Sequence, residues 1–432
     1  MRKTSFFVFL FLLLLRLDTV LAQSRIVEVH ETTQADQPQP FIAPYAFYNE
    51  QFELGVGGVY GVSGYPQPQA SWVVSAIGSS NASWAFFFVG QDYQLPVVQR
   101  LFLDPWFSVS APRDIRAYRD GNPDFPQEQA GSNDSDADNF IEGDGGDVFV
   151  NFSFKYLLPL GHGQTTIINT YEVDRGLLVA GATGGGWWNP LKRGRTYLEV
   201  EPFYRRQKID SEDVQEDTQK TNGITFALVH DNTDFSPSPS QGNYQRFAIS
   251  RDWGLFDSTN VWTVVEGEYS QYVSLGSTAR LRQQVLAFNF WTADTLTWQE
   301  RATASGRIVF DRPPSFAGAT LGGLFRMRGF EAARFNDRTA IYYALEYRVI
   351  PAWNPFADQT LFKRIRIDWL QGVLFAEVGR VADQWSLSKL HREMKWDVGV
   401  GLRAYVNRIV VRFDIAGSEE GFGMQMLVAQ AF

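Results

Sequence analysis

Cysteine is absent from all 432 residues, which excludes disulfides, thiolate nucleophiles and cysteine metal sites. Histidine is scarce: His30, His162, His230 and His391 are widely separated. They form no His-Glu-x-x-His run, and the chain has no Gly-x-Ser-x-Gly elbow and no Walker lysine. Neither an enzyme, a cofactor nor a metal is therefore expected. Past residue 22 no apolar run is long enough to cross a bilayer as a helix, which excludes a helical membrane protein. Basic residues are in deficit, with 39 Lys and Arg against 48 Asp and Glu and a formal charge of -9. A nucleic-acid binder would need a basic face, so that class is excluded too.

The chain opens with an export signal. Arg2 and Lys3 are followed by an apolar run from Phe6 to Leu15, and Val20-Leu21-Ala22 offers a small-residue cleavage site. Residues 1–22 are read as a signal peptide, too short in its apolar part to act as a membrane anchor. Gln23 follows where an acylated lipoprotein would have cysteine. Cleavage removes Arg2, Lys3, Arg16 and Asp18, a net of +2, so the formal charge moves from -9 to -11.

Aromatics make up 15% of the residues, yet mean hydropathy is negative. A transmembrane β-barrel resolves that conflict, because its strands need only every second residue to be apolar. In "RIVVRFDIA", Ile409, Val411, Phe413 and Ile415 oppose Arg408, Arg412 and Asp414. In "AIYYALEYRVI", Ile341, Tyr343, Leu345, Tyr347 and Val349 oppose Glu346 and Arg348. In "RTYLEVEPFYRR", Leu198, Val200 and Tyr204 oppose Glu199, Glu201 and Arg205. The sequence ends on "GFGMQMLVAQAF", with Phe422, Met424, Met426, Val428 and Phe432 in phase. That ending resembles the C-terminal targeting strand of Gram-negative outer-membrane barrels.

Counted back from Phe432, sixteen segments alternate in this way, beginning at residues 52–61 and including one somewhere in 164–187. The expected fold is all-β, a 16-stranded antiparallel transmembrane β-barrel over residues 49–432. Residues 23–48 are expected to be a short polar, protease-sensitive extension on the periplasmic side. Parity puts the tight joints near 80 and 407 in the periplasm. It also puts the acidic, Pro/Gly-rich segment 120–147 there, where mobility is expected.

One long break contains "GGLFRMRGF", residues 322–330. It resembles the sixth extracellular loop of the BamA/TamA superfamily of outer-membrane barrels, the bacterial surface antigen family, whose Val-Arg-Gly-Phe motif folds back into the lumen. Here the motif reads Met327-Arg328-Gly329-Phe330. "HDNTDFSPSPSQG" resembles the family's periplasmic turn, nominating Asp231, Asp234, Pro237, Pro239 and Gly242. "GVLFAEVGRV" resembles its motif strand, with Phe375, Glu377 and Gly379 in phase, although the family usually has Asp where this chain has Glu377. "DVGVGLR" and "VRFDIA" match its last strands. The resemblance covers roughly residues 50–432 and implies that Arg328 meets Glu377 inside the lumen, since a charge carried there needs a carboxylate. Gly329 would allow a tight turn, and Phe330 would wedge the loop against the wall.

The resemblance further implies a Gram-negative outer-membrane protein assembled by the host barrel-assembly machinery, with outer-membrane lipid, and a client protein or lipid, as partners. Such a chain would assist insertion or translocation in membrane biogenesis. BamA and TamA carry periplasmic POTRA domains ahead of the barrel, and residues 23–48 are too few for one, so the resemblance is to the branch without them. Gly55, Gly57 and Gly58 in "FELGVGGVYG" weaken strand pairing. With Phe432 they are read as the two sides of a lateral seam, or as relief of crowding around inward side chains. The alternative function is a passive pore or structural barrel plugged by the Arg328 loop. Asp134, Asp136 and Asp138 have the spacing of a calcium loop, but Asn139 and Gly145 stand where glycine and glutamate are needed. "GATGGGWW" reads as a flexible strand end rather than a phosphate cradle. Oligomeric state cannot be read from these patterns.

Overall fold

The computed structural model describes residues 27–31, 38–49, 52–211, 217–302, 308–356, 360–361 and 365–432. The export signal expected over 1–22 lies outside these residues. One antiparallel sheet dominates the described chain. Its first eight strands are β1 (Gln39–Asn49), β2 (Glu53–Ser63), β3 (Ser71–Ser79), β4 (Trp84–Gln91), β5 (Leu101–Ala111), β6 (Ile141–Leu157), β7 (Arg195–Asp210) and β8 (Asp217–Asp231). The second eight are β9 (Gly242–Asp252), β10 (Trp262–Gly276), β11 (Leu281–Thr295), β12 (Thr339–Pro351), β13 (Ile365–Ala382), β14 (Lys395–Val406), β15 (Ile409–Ser418) and β16 (Gly421–Val428). Each strand pairs with the next in chain order. The sheet curls around a filled interior, but among the described residues no pairing joins β16 back to β1.

The two faces of the sheet invert the usual order of a soluble protein. Leu198, Val200, Phe226, Leu228, Phe247, Ile249, Leu345, Leu374, Val398, Val400 and Leu402 are exposed on the outside. Inward-facing residues of the sheet, among them Glu199, Glu201, Arg246, Glu346, Arg348, Arg403 and Arg412, are buried. Period-two alternation sends these sets to opposite faces, and an apolar band of this extent needs a non-aqueous cover.

Three expectations from the sequence are corrected. The sheet begins one strand earlier than residue 52, because Gln39–Asn49 pairs with β2 along its whole length. Residues 39–48 are thus part of the sheet rather than a polar extension. Their prolines, Pro40 and Pro44, disguise the alternation, and an edge strand can carry them because only one of its sides needs donors. The segment 164–187 supplies no strand of the main sheet. Asn169–Asp174 and Leu177–Ala180 form a hairpin, to which Val27–Glu31 adds a parallel third strand.

One strand gained before residue 52 and one lost at 164–187 leave the total at sixteen but reverse every connection in between. The joint at 80–83 and the segment 112–140 therefore lie at the same end as the 296–338 connection, and the joint at 407–408 lies at the end where the sheet starts and finishes. These are called here the distal and the terminal end. The acidic segment is also tied down. Arg116 pairs with Glu331 at 3.0 Å, and Arg334 donates to the Ser135 hydroxyl at 2.9 Å and carbonyl at 2.6 Å. The Asn336 side chain donates to the Tyr118 carbonyl at 2.8 Å. Segment 112–140 thus braces the connection that carries residues 327–330.

Candidate functional site

The interior is filled from both ends. From the distal end, Gly322 and Gly323 take positive φ values of 101° and 111°, and Met327 one of 56°. These turn the 296–338 connection sharply, and the Gly323 and Phe330 N–H groups close its tip by donating to the Phe330 and Met327 carbonyls. A side chain at Gly322 would meet the Glu331 carbonyl at 2.1 Å, so glycine is required there.

Arg328 sits at this tip and is fully buried. Its backbone N–H donates to Glu377 Oε2 at 2.6 Å and its Nε to Glu377 Oε1 at 3.0 Å. Nη1 donates to Asp414 Oδ2 at 2.5 Å and Nη2 to Glu346 Oε1 at 2.9 Å. The guanidinium lies 3.6 Å over the Phe375 ring. Burial works against its charge, but Glu377, Asp414 and Glu346 hold its pKa well above the ordinary guanidinium value. Gly329 donates to Asp397 Oδ2 at 3.0 Å and accepts from Ser418 at 2.8 Å. Phe330 is buried edge-on to Phe335 at 5.1 Å, beside Met327, Leu321 and Tyr342. A side chain at Gly379 would meet Leu321 at 2.8 Å, so this glycine leaves room for the incoming loop.

Around Arg328 the barrel wall supplies a network that residue spacing did not reveal. Glu346 also accepts from Arg348 at 2.7 Å and from Arg403 at 2.8 Å. Arg412 donates to Asp414 at 3.3 Å and to the Leu324 carbonyl at 2.6 Å. Tyr342 donates to Glu377. Arg328, Arg348, Arg403 and Arg412 are thus buried among the carboxyl groups of Glu346, Glu377, Asp397 and Asp414. The inward phase of Glu346 and Asp414 was visible in the sequence, but their depth and their meeting with Arg328 were not.

The terminal end is filled by the turn after β8. Asp231 accepts from the Thr233 N–H at 2.8 Å and from the Ser236 hydroxyl at 2.8 Å. Asp234 Oδ1 accepts from the N–H groups of Phe235, Ser240 and Gln241, at 2.9, 2.9 and 3.2 Å. Pro237 and Pro239 are buried within this turn. Gly242 closes it at a φ of 102°, where a side chain would meet the Asn232 carbonyl. Phe235 drives into a cluster with Tyr171, Ile350, Trp369 and Tyr405, onto which Val29 and Leu177 of the small sheet also pack.

Gly55, Gly57 and Gly58 do not border the open edge. They lie in β2, paired on both sides. A side chain at Gly57 would strike the Tyr45 ring at 2.5 Å, whereas Gly58 faces open space. Relief of crowding thus accounts for Gly57, and β1 takes the edge position the sequence had given to β2. Phe432 has also left the strand: β16 ends at Val428, Ala429 takes a φ of 89°, and the terminal ring turns inward to stack on Tyr272 at 6.5 Å. Arg348 lies 5.0 Å over that ring and donates to the Phe432 carbonyl at 3.2 Å. A cavity of about 210 Å³ beside Phe432 is lined by Glu201, Arg246, Glu266, Glu268 and Asn289.

No curated protein sequence matches the chain. Among solved structures, it is similar to CdiB from Escherichia coli at 12% identity and a TM-score of 0.54, covering 90% of this chain and 61% of that one. CdiB from Acinetobacter baumannii gives 10% identity, a TM-score of 0.49 and coverage of 90% and 59%. BamA from Haemophilus ducreyi lacking POTRA domains 1-3 gives 12%, 0.44, and 91% and 70%. The chain therefore spans about three fifths of each CdiB chain. At these identities the likeness speaks for the fold alone. The sequence carries the assignment further, because residues 189–420 match the Omp85 superfamily domain over a stretch containing both Arg328 and the carboxylates that hold it, and on that match the chain belongs to the Omp85 superfamily.

Proposed function

We propose that this protein sits in the Gram-negative outer membrane and assists the insertion or translocation of a client protein or lipid. The distal end faces outward, and the Arg328 loop is a fixed brace inside the lumen. The observation that carries this reading is the seam between β1 and β16, across which no strand ladder is found among the described residues. Every other neighbouring pair of barrel strands is hydrogen-bonded, and the last four residues turn inward instead of extending the seam. An unpaired strand edge is a template for another strand. The apolar outer band supplies the lipid contact, and the brace would keep the wall beside the seam in shape while the edge works. Assembly by the host barrel-assembly machinery fits the apolar face of β16, where Phe422 and Val428 are exposed.

A second reading, a passive plugged pore, draws support from the filling of both ends and from the mixed charges around the cavity. The two readings separate in liposomes. With the purified chain in the bilayer and an unfolded outer-membrane protein added outside, an insertion device speeds the appearance of the folded, heat-modifiable form. A plugged pore gives conductance without any change in that rate, and such a result would reject the proposal.

A further inference from the structure

The connection between β6 and β7 leaves the interior at residue 183 and crosses onto the outer face of the sheet. Its base is fixed: Gly194 N–H donates to the Thr183 carbonyl at 3.1 Å, and Gly185 N–H to the Asn232 carbonyl at 2.7 Å. Asn232 returns a side-chain bond to the Gly186 carbonyl at 2.9 Å. The glycines of "GATGGGWW" are needed for this passage. A side chain at Gly184 would meet the Asn232 backbone at 2.4 Å, and Gly185 takes a φ of 89°. What the sequence suggested was a flexible end is a loop bonded at its base, with a second turn closed where Lys192 and Arg193 donate to the Asn189 carbonyl.

The tip of this loop is apolar and uncovered. Trp187 is 87% exposed and Leu191 68% exposed. Trp188 lies edge-on to His230 at 6.5 Å and donates to Gln245 at 2.9 Å. His230 and Gln245 share the outward phase of Phe226 and Leu228 in β8 and of Phe247 and Ile249 in β9. The loop therefore continues the outer apolar band at its terminal rim. Lys192 and Arg193, both exposed, follow directly. Indole rings with a polar edge, next to aliphatic bulk and basic groups, are the chemistry of a membrane interface.

We propose that residues 183–194 form a rigid finger that docks into the phospholipid leaflet at the terminal rim, with Trp187 and Leu191 at the acyl boundary and Lys192 and Arg193 at the lipid phosphates. A membrane is chosen over a protein partner because the finger extends a face that is already apolar. This inference rests on the reading of the chain as a membrane barrel, and the test separates the two.

The absence of cysteine makes single labels simple. Leu191→Cys, Phe247→Cys and Asp136→Cys carry an environment-sensitive fluorophore in the full chain, reconstituted in phosphatidylethanolamine and phosphatidylglycerol vesicles. The lipids bear a nitroxide either near the headgroup or deep in the acyl chain. Emission at 191 is expected to shift to the blue and to be lost more to the shallow nitroxide than to the deep one. Position 247 is expected to be quenched by acyl-chain nitroxides, and position 136 by neither. An unquenched 247 would reject the membrane barrel itself. A quenched 247 with an aqueous, unquenched 191 would overturn the finger alone. Blue-shifted emission at 191 without lipid quenching would mean protein covers the tip, as in a second copy of the chain, and would overturn it equally. Adding Lys192→Glu and Arg193→Glu should reduce shallow quenching at 191, and unchanged quenching would remove the phosphate contact from the proposal.

Discussion

Arg328 and Glu377 meet twice, once through the arginine backbone N–H at 2.6 Å and once through its Nε at 3.0 Å. One carboxylate thus fixes both the path of the loop and the orientation of its side chain. Glu346 and Asp414 take the two remaining ends of the guanidinium fork, at 2.9 and 2.5 Å. A planar donor set satisfied on three sides by carboxylates is hard to replace by any other residue.

Replacing Arg328 by alanine should cost about 3 to 5 kcal/mol, the usual penalty for breaking a buried pair. The cost falls mainly on Glu377, since Glu346 keeps Arg348 and Arg403 while Asp414 keeps Arg412. Glu377→Ala should cost less, because Arg328 retains two carboxylates. Thermal unfolding of the two variants in detergent checks that order, and equal or reversed losses would mean that the network does not share its charge in this way.

The exchanged pair Arg328→Glu with Glu377→Arg should fail to restore stability. A glutamate at 328 would face Glu346 and Asp414, so the exchange adds repulsion where a simple two-residue bridge would have been rebuilt. Recovery to the level of the unaltered chain in the same unfolding assay would show that Glu377 is the sole effective partner.

Much of this architecture could be read from the sequence where two faces differ in chemistry. β7, β12 and β15 announce themselves because Leu198, Leu345 and Phe413 alternate with Glu199, Glu346 and Arg412. β1 was hidden by Pro40 and Pro44, whose tolerance depends on an edge position that only the assembled sheet reveals. The hairpin at 169–180 is apolar enough for a wall strand, yet it packs on Trp369 and Tyr405 at the terminal end. Periodicity states which face a residue takes but not what the opposite wall presents, so Arg328 could be paired with Glu377 by motif while Glu346 and Asp414 went unassigned.

Asp234→Ala should destabilise the fold by about 3 kcal/mol, because it removes charge-assisted bonds to three backbone N–H groups within a buried turn. Phe235 would then lose its fixed entry into the cluster at the terminal end. Lower thermal stability together with increased ion conductance is the expected outcome, measured on the same preparation. Unchanged conductance would show that this turn does not limit passage.

Deleting Phe432 removes a stacking partner of Tyr272 and the ring beneath Arg348. Together these contacts are worth about 1 to 2 kcal/mol. The yield of inserted, heat-modifiable barrel should fall, as read by gel shift of membrane fractions. A normal yield would separate the inward-turned ring from assembly.

Asp337, in the distal connection, carries a pH signature. Burial raises its carboxyl pKa above the ordinary value, ahead of the lowering effect of its bond from the Arg338 N–H. A pKa raised by folding gives a contribution that is complete below the unfolded-state pKa and is lost as pH rises through the folded-state value. Asp337→Asn should therefore leave stability at low pH nearly unchanged and raise it at neutral pH. Melting curves across that range would contradict the assignment if the substitution destabilised the protein at neutral pH.

The account turns on whether the edges of β1 and β16 work while the lumen stays braced. Cysteines introduced pairwise along residues 39–49 and 421–428, with no native thiol to interfere, allow the seam to be locked by oxidation. The locked barrel should lose its acceleration of client insertion in liposomes, regain it on reduction, and keep the same lumen conductance throughout. Full insertion activity in a barrel shown to be completely crosslinked would contradict the account.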